Sequence, residues 1–598
     1  MERGKEENIK TRYKKLQNGS DVRGFALSAP GEQQNLFPTT ARHIGAAFVF
    51  WLAERTGKSA EKLRIGIGHD SRITALELTA GVAAGILEEG AGAFVCGLVT
   101  TPATFLSTML PESSFDGAVM VTASHLPYNR NGLKFFTRDG GLEKNAISEI
   151  LELAAVRAEA TGPARAPLAD VVTAVRYYEE QLSDKEEKPI ARAGFSAMAN
   201  AEGREAAFAR TGMFDAPDIS RYGVAGETVY AAKAGGLERE ETLKIPASCQ
   251  NLPGKLSAFR LAEAYSRHMR ELICREVASE NAEKPLAGLH IIVDAGNGAA
   301  GFFATRILEP LGADVSGSVY LEPDGYFPNH VPNPENPEAM AAVSKAVVTA
   351  GADLGVIFDC DGDRAAVVFS DGQEVNRNAL IALISAIVAE EHPRSTIVTD
   401  SVTSDELTEF LEKKLGLVHF RYRRGYKNVI DRAIALGAMG TDCQLAMETS
   451  GHGALKENYF SDDGAYLSVK IISKMASLRK EGRRIEDLIR DLGKPAEARE
   501  VRIRITGTDF HAYGEDVLDA FARFAREEGW KVVEPNYEGV RIAFDDDEVK
   551  GWLLLRLSLH DPILPLNLET AAAGGVDILL ERIRPFFAEY ERLVLPEA

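Results

Sequence analysis

The sequence predicts an α/β fold divided among several domains, and three observations carry that prediction. Its 598 residues exceed what one hydrophobic core holds, and one domain per ~150 residues gives about four. Short apolar runs ending in turn-rich loops alternate with stretches of helical spacing, which favours layered sheets, largely parallel, with their loops gathered at one edge. From about residue 496 the pattern changes to period-two alternation around one long helical stretch, as expected of a small α+β domain.

Composition narrows the function. A hydrophobic content of 45% and a charged content of 26% are those of a soluble globular protein. No run of about 18 apolar residues predicts a membrane span, and the charged start, MERGKEENIKTRYKKL, lacks the apolar core of a secretory signal. Cys96, Cys249, Cys274, Cys360 and Cys443 are widely spaced with no CxxC pair, which argues against a disulfide framework or zinc site and for a reducing, cytoplasmic setting. A net charge of −20 disfavours nucleic acid and anionic membranes as partners. A small anionic substrate remains compatible if basic residues gather at one place.

The first expected domain spans residues 1–160. In the loop NGSDVRG, Arg23 fits either a phosphate clamp or an ordinary paired surface arginine. LRIGIGHDS reads as a strand ending in a turn, followed by helical spacing of Leu76, Val82, Ile86 and Leu87 up to a stop at Gly90. AGAFVCGLVTTPAT reads as a second strand. A third apolar run ends in VMVTASHLPYNRNGLK, which delivers Ser124 to the sheet edge. On these residues alone Ser124 is either a turn residue or a nucleophile.

TASHLPYNRNGLKFF resembles the active-serine signature of the α-D-phosphohexomutases, the family of phosphoglucomutase and phosphomannomutase, usually written TASHNPxxxNGxK. The resemblance implies a four-domain phosphohexomutase-like architecture, with three mixed-sheet α/β domains and a C-terminal α+β domain. It implies that Ser124 is phosphorylated in the resting protein, that Arg23 of the loop Asp21 to Gly24 lies near that phosphate, and that Lys134, helped by His125, transfers protons. Leu126 departs from the usual asparagine, and His69 in GHDSR stands where the family commonly has GRDSR.

Residues 161–257 are rich in glycine and alanine and show no sustained strand pattern, so they read as an insertion or linker, partly helical around Ala197 to Arg210. The resemblance does not cover this segment, whose readings include a lid, an oligomer contact, a disordered loop and a solvated decoration.

The second expected domain, 258–375, opens with a helix from Leu261 to Val277 and a strand of Ile291, Ile292 and Val293 that breaks at Asp294 into a glycine-rich turn. That turn fits phosphate binding or tight α/β packing equally well. In GADLGVIFDCDGDRAAVV the apolar run Leu354 to Phe358 ends in Asp359, Asp361 and Asp363, with Gly362 freeing the turn and Arg364 following. Three carboxylates so close repel one another unless a cation holds them, and hard oxygen ligands suit Mg2+; the other readings are an acidic turn capped by the arginine and a calcium-type loop. DCDGDR resembles the family's metal loop DGDGDR, with Cys360 at a glycine. The resemblance implies Ser124, Asp359, Asp361 and Asp363 as the metal ligands, and Arg364 beside them is expected to contact substrate.

In the third expected domain, 376–495, STIVTDSVTSDELTEFLEKKLG reads as strand, loop and helix, started by Ser404 and Asp405. RYRRGYKNV places Arg421, Arg423, Arg424 and Lys427 together, as a solvated patch or as a means of steering a sugar phosphate. GYKNV resembles the family's GxK segment and makes Lys427 a candidate substrate contact. The apolar run before METSGHGAL ends in Glu448, Ser450 and His452. It resembles the sugar loop GExSGH, which implies that Glu448 and Ser450 hold sugar hydroxyls with His452 nearby.

The fourth expected domain, 496–598, contains the alternating strand EVRIRITGTDF, a helix from Gly514 to Glu528, and strands in KVVE, NYEGVRIAF and GWLLLRLSLHDP. RLSLHDP partly resembles the phosphate loop RxSGTEP. Arg556 and Ser558 match, Leu559 and His560 replace a small residue and threonine, and Asp561 replaces glutamate. Arg556, Ser558 and His560 are therefore the expected phosphate contacts.

The resemblance implies a phosphohexomutase that interconverts hexose 6-phosphate and hexose 1-phosphate, of glucose or mannose, through a phosphoserine and a hexose 1,6-bisphosphate that also serves as activator. Mg2+ is the expected cofactor and a phosphosugar the expected partner, in a monomer or homodimer. The alternatives are a phosphoglucosamine mutase, a sugar phosphatase, or a catalytically weakened sugar-phosphate-binding protein.

Overall fold

The apolar runs around Ile65 and Val119 become neighbouring central strands, Arg64–His69 and Gly117–Val121, of an eight-stranded sheet. The computed structural model describes residues 8–160, 164–182, 244–277, 281, 283–558 and 561–596. These fall into two compact units, Met1–Glu374 with Asp463–Ser477, and Val375–Asp462 with Leu478–Ala598.

In the first unit, Gly117–Val121, Arg64–His69, Gly92–Leu98 and Leu256–Ala258 run parallel. Arg130–Thr137, Asp21–Phe25 and Gln17–Asn18 continue the sheet antiparallel. The sheet is thus mixed, as the resemblance implies, where the apolar pattern alone suggested a largely parallel one. The reason lies in the short connection between Val121 and Arg130, which leaves no room for the crossover helix that a parallel neighbour requires. Helices Pro38–Thr56, Ala75–Glu88 and Lys144–Ala160 supply the apolar faces that cover the sheet, with Phe48, Leu78, Val82 and Ile147 fully buried in one core. Two elements of the segment read as an insertion join this layer. Helix Leu168–Leu182 buries Val171, Ala174 and Val175 in the same core, and Leu256–Ala258 forms the sheet's edge. The helix expected around Ala197 to Arg210 lies outside the described residues.

A four-stranded mixed sheet follows in the same unit. Leu354–Phe358 pairs parallel with Ile291–Asp294 and antiparallel with Ala365–Phe369, so the aspartate loop is the hairpin between two fully buried strands. Helix Pro337–Ala350 covers it through Met340, Val343 and Val347. The glycine-rich turn after Asp294 serves packing. A Cβ on Gly298 would lie 2.5 Å from the Cys360 carbonyl, and the neighbouring Ala299 amide donates to that carbonyl at 2.8 Å.

The second unit holds two sheets. In the first, Thr396–Thr399 lies parallel to Val418–Arg421 and Cys443–Met447, and the sheet turns antiparallel at Gly453–Leu455 and Ser461–Asp462. The Ser404 hydroxyl caps helix Asp405–Glu409 by accepting from the Leu407 amide at 3.0 Å. The second sheet is six-stranded and antiparallel, with Glu497–Ile505 and Ile563–Thr570 paired along their length. Helices Phe510–Glu527 and Gly575–Phe587 share its core. The first of these begins at Phe510, ahead of the expected Gly514, because Phe510 and Tyr513 also pack against that core. Among the described residues no helix is long and apolar enough to cross a membrane.

Candidate active site

Strand Gly117–Val121 ends just before Ser124, and the serine is held in a left-handed backbone conformation with φ 50°. Non-glycine residues adopt that conformation at a conformational cost, and it persists where the surroundings enforce it. Here the Ser124 amide donates to the Thr122 hydroxyl at 2.8 Å. The hydroxyl of Ser124 is thereby aimed at the hairpin of the second sheet, where it donates to Asp359 Oδ2 at 3.0 Å.

Asp359, Asp361 and Asp363 are all buried, and one carboxylate oxygen from each lies within 4.8 Å of the others. Gly362 makes this turn with φ 70°, and a Cβ there would stand 2.6 Å from Thr100 Cγ2. Two cations are built into the cluster. Lys134, only 4% exposed, donates from Nζ to Asp361 Oδ2 at 3.1 Å and Asp363 Oδ2 at 2.6 Å. Arg364 contacts Asp359 Oδ2 at 3.2 Å and Ser124 Oγ at 3.3 Å, donates to His125 Nδ1, and reaches Asn333 Oδ1 at 3.1 Å. Burial pushes the Asp361 carboxyl up, but the Lys134 ammonium and the Thr101 hydroxyl, 2.6 Å away, override it and hold it well below the usual carboxylate range.

The donor set fits a hard divalent cation. Three carboxylates face the two cations that touch them, and Asp361 Oδ1 is buried with no hydrogen-bond partner. An orphaned anionic oxygen in a dry setting is costly unless a cation reaches it. Arg23, on strand Asp21–Phe25, pairs with Asp21 at 2.8 Å and donates to the Thr122 carbonyl, which puts its guanidinium beside the strand end that carries Ser124. His125 is exposed, with Nδ1 3.3 Å from Ser124 Oγ. Ser124, His125, Lys134, Arg23, Asp359, Asp361, Asp363 and Arg364 therefore converge on one place in the first unit.

Two further residues hold this site and went unrecognised in the sequence, although GHDSR contains both. The Arg72 guanidinium is an ion-pair partner of Asp70 at 3.2 Å and donates to the carbonyls of Ser124, Leu126, Pro127 and Arg130. Asp70 in turn accepts from the Thr122 hydroxyl at 2.7 Å and the Cys360 thiol at 3.3 Å. The available signal was positional: Arg64–His69 ends beside Gly117–Val121 in parallel register, so charged residues just past one strand end face the loop after the other.

The other candidates lie in the second unit. Glu448 Oε1 accepts from the Gly425 amide at 2.5 Å, and Ser450 Oγ donates to Glu448 Oε2 at 3.2 Å. His452 faces Asp462 at 2.5 Å and stacks on Tyr426. Below the loop, burial and the charge of Glu448 push the Asp400 carboxyl up to about 7, while Thr449 donates to it at 2.7 Å. Lys427 pairs with Asp431 at 3.1 Å. Arg421 is not part of a basic steering surface: its guanidinium turns inward to Asp405 Oδ1 at 2.8 Å and Thr408 Oγ1 at 2.6 Å. Arg556 is half-buried, and its pKa is lowered first by burial and then by Arg424. Ser558 Oγ accepts from the Asp561 amide at 3.2 Å. His560 lies outside the described residues.

Models of the phosphoglucomutase/phosphomannomutase family match three successive stretches: alpha/beta/alpha domain I over residues 14–160, domain II over 263–372 and domain III over 376–495. A phosphomannomutase/phosphoglucomutase of Pseudomonas syringae pv. tomato is 32% identical over 311 residues, 52% of this chain and 62% of that protein. The chain's match thus spans about three fifths of the length of that relative. A phosphoglucomutase of Neisseria gonorrhoeae is 23% identical over 543 residues, covering 90% of this chain and 92% of that protein. Two solved structures share the fold. One is a phosphoglucomutase/phosphomannomutase family protein from Burkholderia thailandensis, with TM-score 0.68 and 22% identity over 98% of this chain and 99% of the other. The second is the phosphoglucomutase parafusin of Paramecium, with TM-score 0.60 and 15% identity over 97% and 96%. Matched over more than half of its length by the models of three consecutive domains, the chain belongs to the phosphoglucomutase/phosphomannomutase family.

Proposed function

We propose that this protein is a phosphohexomutase that interconverts hexose 6-phosphate and hexose 1-phosphate of glucose and mannose, using Ser124 as the phosphoryl carrier. The observation that carries the reading is the hydroxyl of Ser124 set 3.0 Å from Asp359 in a cluster of three buried aspartates, with Arg364 on its other side. A hydroxyl so placed suits a phosphoryl group that cations must neutralise.

Asp359, Asp361, Asp363 and the Ser124 oxygen would hold Mg2+. When bound, the ion supplies Lewis-acid stabilisation to phosphoryl oxygens. The side chains do the rest. Phosphorylated Ser124 gives its group to a free hydroxyl of the hexose phosphate: the phosphorus–oxygen bond to Ser124 breaks, a bond to the sugar oxygen forms, and the sugar proton leaves. Lys134 and His125 are the proton-handling groups at this site. The resulting hexose 1,6-bisphosphate returns its other phosphoryl group to Ser124, so the same bisphosphate added from outside activates unphosphorylated protein. Arg23 and Arg364 orient the group in transfer, while Glu448 and Ser450 hold sugar hydroxyls, with His452 and Lys427 beside them. Arg556, Ser558 and His560 grip the phosphate that is not reacting. None of the five cysteines is joined in a disulfide, in keeping with work in the cytoplasm.

The test is turnover of purified protein on glucose 1-phosphate, mannose 1-phosphate and glucosamine 1-phosphate, each with Mg2+ and the matching bisphosphate. Isomerised product from the glucose and mannose esters is expected. Failure to isomerise any ester, or release of inorganic phosphate alone, would sink the mutase reading.

A further inference from the structure

Helix Leu168–Leu182 lies in the segment to which the sequence assigns no role, yet it ends beside the strand that leads into the Asp70–Arg72 pair. Near its C-terminus Glu179 Oε1 stands 3.0 Å from His69 Nε2. His69, 5% exposed, is the last residue of strand Arg64–His69, and its Nδ1 is 2.7 Å from the carbonyl oxygen of Asp70. Both ring nitrogens thus face oxygen acceptors, and both bonds form only when the ring is a cation. The carbonyl it grips belongs to the residue whose carboxylate meets Thr122, Cys360 and Arg72. Arg72 then fastens four carbonyls of the Ser124 loop.

We propose that Glu179 is a positioning residue for the Ser124 loop: by holding His69 in its doubly bonded form it fixes the backbone from which Asp70 and Arg72 clamp residues 122–130. A structural anchor alone would require only the apolar contacts of Val171, Ala174 and Val175, whereas Glu179 reaches past them to a ring at the strand end that faces the site. The histidine makes the clamp sensitive to pH, which a permanently charged arginine would not. Burial pushes His69 down, but the charge and hydrogen bond of Glu179 and the Asp70 carbonyl override it and raise it to about 9. The charged groups around it are Glu179 on the helix, Glu77 on helix Ala75–Glu88, which also faces Arg176, and Asp70, the next residue along the chain. Above that pH the ring loses one donor and the clamp one bond.

The kinetic part of this inference rests on the phosphoryl-transfer reading, and the structural part does not. In the full chain, Glu179→Gln is compared with wild type by amide hydrogen exchange at neutral pH. Exchange over residues 122–131 is expected to rise about 10-fold, while helices Pro38–Thr56 and Ala75–Glu88 stay as protected as before. In turnover, kcat is expected to fall about 10-fold or more with KM little changed, and the alkaline limb of its pH profile to move down by about one to two units. Glu180→Gln, an exposed neighbour, should change none of these. His69→Arg should abolish the alkaline shift between the two Glu179 forms, and it decides the matter if Glu179→Gln fails to fold: an alkaline limb near pH 9 that survives in His69→Arg overturns the proposal. So does unchanged exchange over 122–131 in Glu179→Gln, or an increase spread evenly over the core helices. If wild-type protein isomerises no hexose phosphate, the proposed function fails and the exchange measurement still decides this inference.

Discussion

Replacing Lys134 by methionine removes the ammonium that bridges Asp361 and Asp363 while keeping the volume of the side chain. The ammonium lies 3.1 Å and 2.6 Å from the two carboxylates and is 4% exposed. At an effective dielectric of about 20 each contact carries roughly 5 to 6 kcal/mol of gross attraction, most of it offset by desolvation of the groups. Removing one partner strips two buried carboxylates of the ammonium they share, and the expected net loss of stability is about 3 to 5 kcal/mol. The distinctive expectation concerns metal. In EDTA the variant should show this full loss by urea denaturation. Adding Mg2+ should recover more stability in the variant than it adds to wild type, because a cation then supplies the charge the ammonium supplied; at 100 times its dissociation constant a ligand contributes about 2.7 kcal/mol. Equal stability of the two proteins in EDTA, or equal stabilisation by Mg2+, would show that Lys134 and a metal do not share the aspartate cluster and would refute the reasoning.

Three further expectations concern the second unit. Because Asp400 is pushed up to about 7 by burial and Glu448, its neutral form is favoured by folding; the contribution is fully present below about pH 4 and is lost as pH rises through about 7. Asp400→Asn should therefore match wild type in thermal midpoint near pH 4 and exceed it at pH 8, and an equal difference at both values would contradict the assignment. Glu448→Gln removes the anionic acceptor shared by the Gly425 amide and Ser450, so kcat/KM for hexose phosphates should drop by about 10-fold or more, measured with the bisphosphate saturating. Arg541, 2% exposed, donates to the Ser401 carbonyl at 3.0 Å and Asp405 at 2.9 Å and lies over Trp552. Arg541→Met takes the guanidinium donor from the Ser401 carbonyl and leaves Asp405 to Arg421, so it should destabilise by about 1 to 3 kcal/mol in urea, and no measurable change would show the cluster is not coupled.

The parts of the site legible in the sequence are those written in contiguous residues. The apolar run into Ser124 and the aspartates after Phe358 each announce a strand that ends in chemistry, and the structure brings the two loops to 3.0 Å of each other. What stayed hidden depends on pairings across long sequence separations. Nothing local says that Lys134 sits between Asp361 and Asp363, that Arg72 grips the carbonyls of the serine loop, or that a helix beyond residue 160 reaches His69. Charge without partners also misleads: Arg421 reads as part of a basic patch, yet its guanidinium is engaged by Asp405 and Thr408. The mixed first sheet was obscured because strand patterns record which residues are buried and leave the direction of the neighbour open. The length of the Val121 to Arg130 connection, and not the alternation of apolar residues, decides that direction.

The central claim is that Ser124 carries the phosphoryl group, and intact-mass measurement tests it most directly. Protein stripped of phosphate and then incubated with glucose 1,6-bisphosphate and Mg2+ should gain one phosphoryl group, located on Ser124 by peptide mapping, and should lose it to glucose 1-phosphate on further incubation. Ser124→Ala should gain none. Wild-type protein that stays unmodified under these conditions, or a Ser124→Ala variant that still acquires the group and turns over hexose phosphates, would contradict the account.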